Sequence, residues 1–390
     1  MRGSIYEEFF CFLLIAGTAI ITGCQNPLNG IDKVQTHIEN VDSLKEKNIL
    51  KTEEYKENSE SNDAAEKDNS KNSYSREAEK DKSEVKTTFN SNPDTNDDNK
   101  VDEVVSVTAY YRDSDGLLIP VTRNIKKEEG IAKAAIRTMI DNEINREALK
   151  PLGLVPVLPE GTEVLGINIV DGIAIIDLSN KVLNYKTEQD ERNIFSGIVY
   201  TLTEFKTING VQFLINGYEK KELKYSGNIS NIMTRDNTLI NSDRLNAESK
   251  TMKFDVYLYK YLENKHEYLL PVSMEYIGVS KDLIPVQIVR TMAKEPKDSK
   301  LYTQMPENVE LIGSKVDDKV LTLDFSKEIK NYGGNSREEG LLKQILYTMK
   351  QIKGVEKVEI LIEGEKDDLP EGTDISSALR IPDGINRVSE

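Results

Sequence analysis

The sequence predicts an α+β protein: two tandem repeats of a ββαββαβ unit, set behind an export leader and a polar stalk. Three observations predict it. The chain repeats itself, since Pro159–Gly217 aligns with Pro306–Gly364 without a gap and about 18 of 59 positions are identical, the mark of two copies of one structural unit. Within each copy, short alternating apolar runs take turns with runs of helical period. The hydrophobic fraction of 38% is low for 390 residues, so one region dilutes the rest.

Residues 1–23 read as the leader. Arg2 precedes an apolar run from Phe9 to Ile21, too short for a permanent span but suited to the h-region of an export signal. Ile21-Thr22-Gly23-Cys24 resembles the bacterial lipobox, in which the Cys thiol takes a diacylglyceryl group and a peptidase then cuts before it. Cys24 is therefore the expected lipidation site, Cys11 leaves with the leader, and no free thiol remains. An uncleaved anchor with a free Cys24 thiol is the alternative, and Glu7 and Glu8 depart from the usual positive n-region. Residues 24–103 are the diluting region. Lys51–Lys100 is mostly Glu, Lys, Asn, Ser and Asp and cannot bury enough apolar surface to offset the entropy of ordering. A disordered stalk of this length spans ~50 Å.

The copies are expected at 104–247 and 252–390, with a polar junction near Asn246–Lys250. In copy one, Val104–Tyr111 and Leu117–Arg123 flank Asp113-Ser114-Asp115-Gly116, a hairpin signal. Ile131, Ala134, Ala135, Thr138 and Met139 lie on one helical face. Glu163–Val170 and Ile173–Leu178 surround Asp171-Gly172, a second hairpin. Phe195, Ile198, Leu202 and Phe205 form a second helical stripe, matched by Leu342, Ile345, Met349 and Ile352. Val211–Ile215 is the last strand. This order predicts one mixed sheet per copy with helices on one face. Pro120 recurs as Pro271, Arg137-Thr138-Met139 as Arg290-Thr291-Met292, and Ile240-Asn241 as Ile385-Asn386.

Composition narrows the chemistry. With 51 Lys+Arg against 67 Asp+Glu the net charge is −16, which argues against nucleic acid as a partner, because that binding needs clustered cations. Two Cys and two His leave few ways to build a metal centre or a nucleophilic triad; no cofactor is expected. The best enzyme-like feature is a pair of carboxylates present in both copies, Asp171 with Asp177 and Asp318 with Asp324. Paired carboxylates do acid/base work when burial raises one pKa. Here Asp171 precedes a turn glycine, and the alternation of Ala174, Ile176 and Leu178 puts Asp177 on the face away from the core. Turn and strand-end roles are therefore expected, with partner contact the second reading and catalysis the third. His37 falls in the stalk, and His266 reads as a polar loop residue. Tyr200 and Tyr347 read as edge-of-core residues; Tyr185 and Tyr332 sit in loops, where core packing outweighs surface contact. Gly161 and Gly166 read as turn glycines, so there is no phosphate loop.

Taken together, the lipobox, the stalk, and a repeated unit reading Tyr-Tyr, Leu-Ile-Pro-Val, Leu-Pro-Glu-Gly-Thr, Ile-Asp-Leu-Ser and Ile-Asn-Gly resemble the GerM family of spore-forming Firmicutes. The resemblance covers everything but the stalk; copy two departs from it with Pro-Glu-Asn and Leu-Asp-Phe-Ser. It implies tandem GerMN domains like the ring-building folds of secretion machines. It further implies a non-enzymatic sporulation lipoprotein, acting between mother cell and forespore to stabilise the envelope complex, with effects on engulfment, cortex and germination. The expected location is the extracytoplasmic face of the cell membrane, held by lipid on Cys24. Envelope or sporulation proteins are the expected partners, self-assembly being open. The alternatives are a protein that binds or remodels spore peptidoglycan, and a vegetative envelope lipoprotein with the same module.

Overall fold

The computed structural model describes residues 103–388 apart from 263–265, 279 and 295. The leader, Cys24, the stalk and His37 lie outside the described residues.

Copy one opens with a hairpin of β1 (Val104–Arg112) and β2 (Leu118–Lys126). Its turn is closed by Asp113, whose Oδ1 accepts the amides of Asp115 at 2.9 Å and Leu117 at 2.8 Å, the local bonding that makes Asp a turn former. Helix α1 (Ile131–Arg137) buries Ala134 and Ala135 of the predicted stripe, but ends before its last two members: Thr138 caps the helix and Met139 is buried just beyond it. A short helix α2 (Glu143–Leu149) follows, which periodicity did not reveal because Leu149 is its one buried residue. Strands β3 (Val164–Val170) and β4 (Ile173–Leu178) meet at Asp171 and Gly172, both at positive φ (50° and 78°), the two-residue turn that matches strand twist. Helix α3 (Glu188–Leu202) starts in a capping box of Thr187 and Asp190 and returns the chain to β5 (Gly210–Ile215), parallel to β4, as such a crossover requires. Strands β6 (Tyr218–Glu219), β7 (Glu222–Leu223) and β8 (Gly227–Asn228) complete the copy.

Copy two repeats the order with β9 (Thr251–Leu262), β10 (His266–Ile277), α4 (Ile284–Met292), β11 (Leu311–Asp317), β12 (Val320–Phe325), α5 (Asn335–Met349), β13 (Lys357–Ile362) and β14 (Leu379–Arg380). The mixed sheets run β3-β4-β5-β6 and β11-β12-β13-β14. Each has a register shift at the same place, Val164/Gly166 and Leu311/Gly313, so Gly166 marks a strand irregularity and not a turn. Ala174, Ile176 and Leu178, like Leu321, Leu323 and Phe325, are buried as the alternation predicts, in an apolar core that runs through both copies.

One expectation is corrected. Each first hairpin is a two-stranded sheet of its own, separate from the mixed sheet. Val107 through Tyr111 are buried in succession, so β1 is covered on both faces. Helix α3 takes the place a further strand would occupy, since the Tyr110 amide donates to Thr201 Oγ1 at 3.1 Å. In copy two the Tyr257 amide donates to Thr348 Oγ1 at the same distance. Strand β2 packs on β10 of the other copy.

Candidate functional site

The carboxylates singled out from the sequence do not converge. Asp171 and Asp318 occupy hairpin turns at positive φ (50° and 39°). Asp177 lies at the far end of β4, where its Oδ1 accepts the Gly217 amide at 2.9 Å, and Asp324 Oδ1 accepts the Gly364 amide at 2.8 Å. Each therefore closes the turn that follows β5 or β13.

A second shared carboxylate went unread. Glu191 and Glu338, in the first turns of α3 and α5, are fully buried. Glu191 accepts the amides of Tyr225 at 3.0 Å and Ser226 at 2.6 Å. Glu338 accepts those of Glu371 at 2.8 Å and Thr373 at 2.9 Å, together with the Tyr332 hydroxyl at 2.9 Å. Burial favours the protonated acid in both, but these hydrogen bonds outweigh it and hold both groups below the ordinary Glu range. Tyr185 faces Glu191 as Tyr332 faces Glu338, and burial together with the neighbouring carboxylate pushes both phenols up. The loop tyrosines thus anchor a buried acid. The signal was available, because Glu191 and Glu338 are identical across the repeat.

The richest polar chemistry lies on the seam between the copies, which are related by an approximate two-fold. Asn241 closes copy one onto copy two: its Oδ1 accepts the Leu118 amide at 2.7 Å, and its Nδ2 donates to Leu118 O at 2.9 Å and to Pro271 O at 2.8 Å. Asn386 does the converse, accepting the Leu269 amide at 3.0 Å and donating to Leu269 O at 2.8 Å and Pro120 O at 2.7 Å. The preceding residues bond to the opposite hairpin as strand neighbours do. Ser273 N donates to Ile240 O at 3.0 Å and Thr122 N to Ile385 O at 2.9 Å. The Ile240 amide donates to Ser273 Oγ at 2.9 Å, and the Ile385 amide to Thr122 Oγ1 at 2.7 Å. The repeated Pro and Ile-Asn of the sequence are the two halves of this clasp. Both asparagines hold positive φ (51° and 47°), which Asn tolerates better than most residues.

Charges sit at both ends of the seam. Lys260 and Asp113 are each 2% exposed and bonded to one another. Lys260 also bonds to Asp115 at 2.7 Å, and Lys300 to Asp115 at 2.5 Å; these hydrogen bonds lower the Asp115 pKa. Elsewhere Tyr200, read as an edge residue, is fully buried and donates to Asp255 of the other copy at 2.7 Å, while Lys253 lies 2.8 Å from Asp255. Glu204 pairs with Arg235 at 2.6 Å and with Lys350 of copy two at 2.9 Å. Burial raises its pKa, but the two cations outweigh burial and bring it to about 2. Glu204, Arg235, Asp255 and Lys350 border a cleft of about 360 Å³ whose walls include Thr108, Thr122, Tyr257 and Tyr347. His266, expected in a loop, opens β10, with its Nε2 2.9 Å from Pro151 O of copy one. Tyr268 donates to Leu152 O at 2.9 Å, so the segment after α2 receives the longer hairpin of copy two. Among the described residues no group of three or more His, Cys, Asp or Glu is placed to hold a metal ion, and no helix is long and apolar enough to cross a membrane.

Comparison with known proteins agrees with this duplicated architecture. The model of the Germane family, described by the words sporulation and spore germination, matches residues 108–221 and again 255–368. The chain is 30% identical over 310 residues to the spore germination protein GerM of Bacillus subtilis strain 168, covering 77% of this chain and 84% of that protein. The solved tandem GerMN domains of the sporulation protein GerM from Bacillus subtilis match with a TM-score of 0.64 at 30% identity, over 74% of this chain and 100% of that one.

Proposed function

The chain belongs to the Germane family of sporulation and spore germination proteins, and from that premise we propose that it serves sporulation as a non-enzymatic scaffold of the envelope. Lipid on Cys24 holds it to the extracytoplasmic face of the membrane, two acyl chains or more being needed for firm anchoring. The stalk sets the reach, and the paired repeats offer protein partners their sheet edges and faces. Between mother cell and forespore such a scaffold stabilises the complex that joins the two membranes. The observation that carries the reading is the use made of the shared acids. Asp177, Asp324, Glu191 and Glu338 each hold backbone amides of their own copy, which supports a role as framework over one in acid/base chemistry.

Deletion of the gene in a sporulating host tests it, with the parent and Cys24→Ala reintroduced separately. Heat-resistant spore counts are expected to fall on deletion, to recover with the parent and to stay low with Cys24→Ala. Unchanged spore counts after deletion would overturn a sporulation role. Full rescue by Cys24→Ala would remove the anchor from the account.

A further inference from the structure

The two mixed sheets present different outer faces to their surroundings. Pairing aligns Val170 with Ile173 and Gly210, Asn168 with Ile175 and Gln212, and Gly166 with Asp177 and Leu214. The matching rows of copy two are Asp317, Val320, Lys357; then Lys315, Thr322, Glu359; then Gly313, Asp324, Leu361. The second face is one that water covers: Thr322 donates to Glu359 at 3.1 Å, Lys366 pairs with Glu359 at 2.9 Å and Lys315 with Asp317 at 3.3 Å. The first carries Val170, Ile173 and Ile175 where the second has Asp317, Val320 and Thr322, and Gln212 where the second has Glu359. Gly210 keeps it closed, for a Cβ there would fall 2.7 Å from Ile232 Cγ2 and 3.3 Å from Ile173 Cδ1.

The contrast extends to the strand edges. Strand β3 ends its sheet, and among the described residues no strand pairs with its outer side. Leu165-Gly166-Ile167-Asn168-Ile169-Val170 is six residues without a charge or a Pro, and Leu165, Ile169 and Val170 are 45%, 46% and 46% exposed. Its counterpart β11 carries Lys315 and Asp317, the charges that ordinarily keep an edge from pairing. Carboxylates bracket the open edge, Glu163 before it and Asp171 after it, and neither has an ion pair among the described residues. Antiparallel pairing of two β3 strands centred on Ile167 would set Glu163 of one against Asp171 of the other, which disfavours a second copy as the occupant.

We propose that the β3 edge and the adjoining outer face of copy one form a docking site for an extended strand of a partner protein, with alternate apolar side chains and flanking Lys or Arg. Backbone pairing along β3 supplies the affinity, and Val170, Ile173 and Ile175 on two neighbouring rows supply the apolar contact. The flanking cations meet Glu163 and Asp171. The proposal rests on the scaffold reading and gives it a surface.

The test exchanges the two faces. Asn168→Lys, Val170→Asp and Ile175→Thr together give copy one the residues that copy two already accepts at these positions, so the fold should tolerate them. The probe is a fluorescent peptide of alternating Val and Thr flanked by Lys pairs, with a Glu-flanked peptide as control, titrated against the full chain in detergent. The parent should bind the Lys-flanked peptide at least tenfold tighter than the control, and the triple variant should lose that binding. Adding Lys315→Asn, Asp317→Val and Thr322→Ile to the triple variant should restore it, now on copy two. Equal binding of both peptides, or binding unchanged by the triple variant, would overturn the proposal. A dimer in sedimentation that the triple variant dissolves would do so too, by making a second copy the occupant. In sporulating cells, a null phenotype that the triple variant rescues fully would sink this surface alone, while a silent deletion would sink the scaffold reading beneath it.

Discussion

In copy one Glu191 holds the amides of Tyr225 and Ser226, and in copy two Glu338 holds those of Glu371 and Thr373. At the seam the asparagine clasp is alike in both copies, but the charged positions differ. Asp113 of copy one faces Lys260, its own counterpart in the second hairpin, and the position of Glu204 is held in copy two by Gln351. A side chain that serves its own backbone meets the same geometry in both copies and stays the same. A side chain near the approximate two-fold meets its counterpart, and two like charges there would repel.

The sharpest way to break this comparison is at Lys260. Lys260→Met leaves the Asp113 carboxylate buried without its cation and should cost about 4 kcal/mol in urea unfolding of the full chain. Adding Asp113→Asn, which removes the charge but keeps an acceptor for the Asp115 and Leu117 amides, should recover most of the loss. If Lys260→Met alone is silent, the seam does not depend on its charges. Acid comes next. The Glu204 carboxyl, held at about 2 against an ordinary 4.5, stabilises the fold fully above the higher value. That contribution, about 3 kcal/mol, is lost as pH falls from 4.5 through 2. Glu204→Gln should flatten this part of the acid profile, read by tyrosine fluorescence because the chain has no Trp. An unaltered profile would detach Glu204 from Arg235 and Lys350.

Smaller effects test the matched positions. Glu191→Gln and Glu338→Gln should each cost about 2 kcal/mol, in equal measure if the two acids do the same work. Asn241→Gly and Asn386→Gly keep the backbone conformation but remove the clasp, at about 1 kcal/mol each, with faster amide exchange at Leu118 and Leu269 respectively. Asp177→Asn and Asp324→Asn retain an acceptor for the Gly217 and Gly364 amides and should shift stability by less than about 0.5 kcal/mol. A large loss from either would reopen the question of what those carboxylates meet.

Much of the fold was legible because it is written in local pattern. The alternation of Ala174, Ile176 and Leu178 placed Asp177 on the outer face, and the repeated turn sequences located both hairpins. Helix α2 was not legible, since Glu143–Leu149 has no apolar stripe and no counterpart among the described residues of the second copy. Glu191 was overlooked because it stands in a helix's first turn, where acids are commonplace. The seam was out of reach for a different reason. Lys260 and Asp113 are 147 residues apart in the chain, and each taken alone reads as an ordinary charged residue near a turn. Ile240-Asn241 and Ile385-Asn386 were visible as a repeat, but their bonding to the opposite copy depends on the two-fold, which spacing does not encode.

The meeting of Lys260 with Asp113 also dates events in the history of this chain. In an ancestor with one copy, pairing as two identical subunits, this site would have brought a residue face to face with itself. Asp against Asp, or Lys against Lys, in a setting as dry as this one would have opposed assembly. Fusion of two gene copies freed the halves to change separately, and only then did a buried pair of opposite charge become available. The pair is therefore younger than the duplication, and it commits the first hairpin of one half to that of the other.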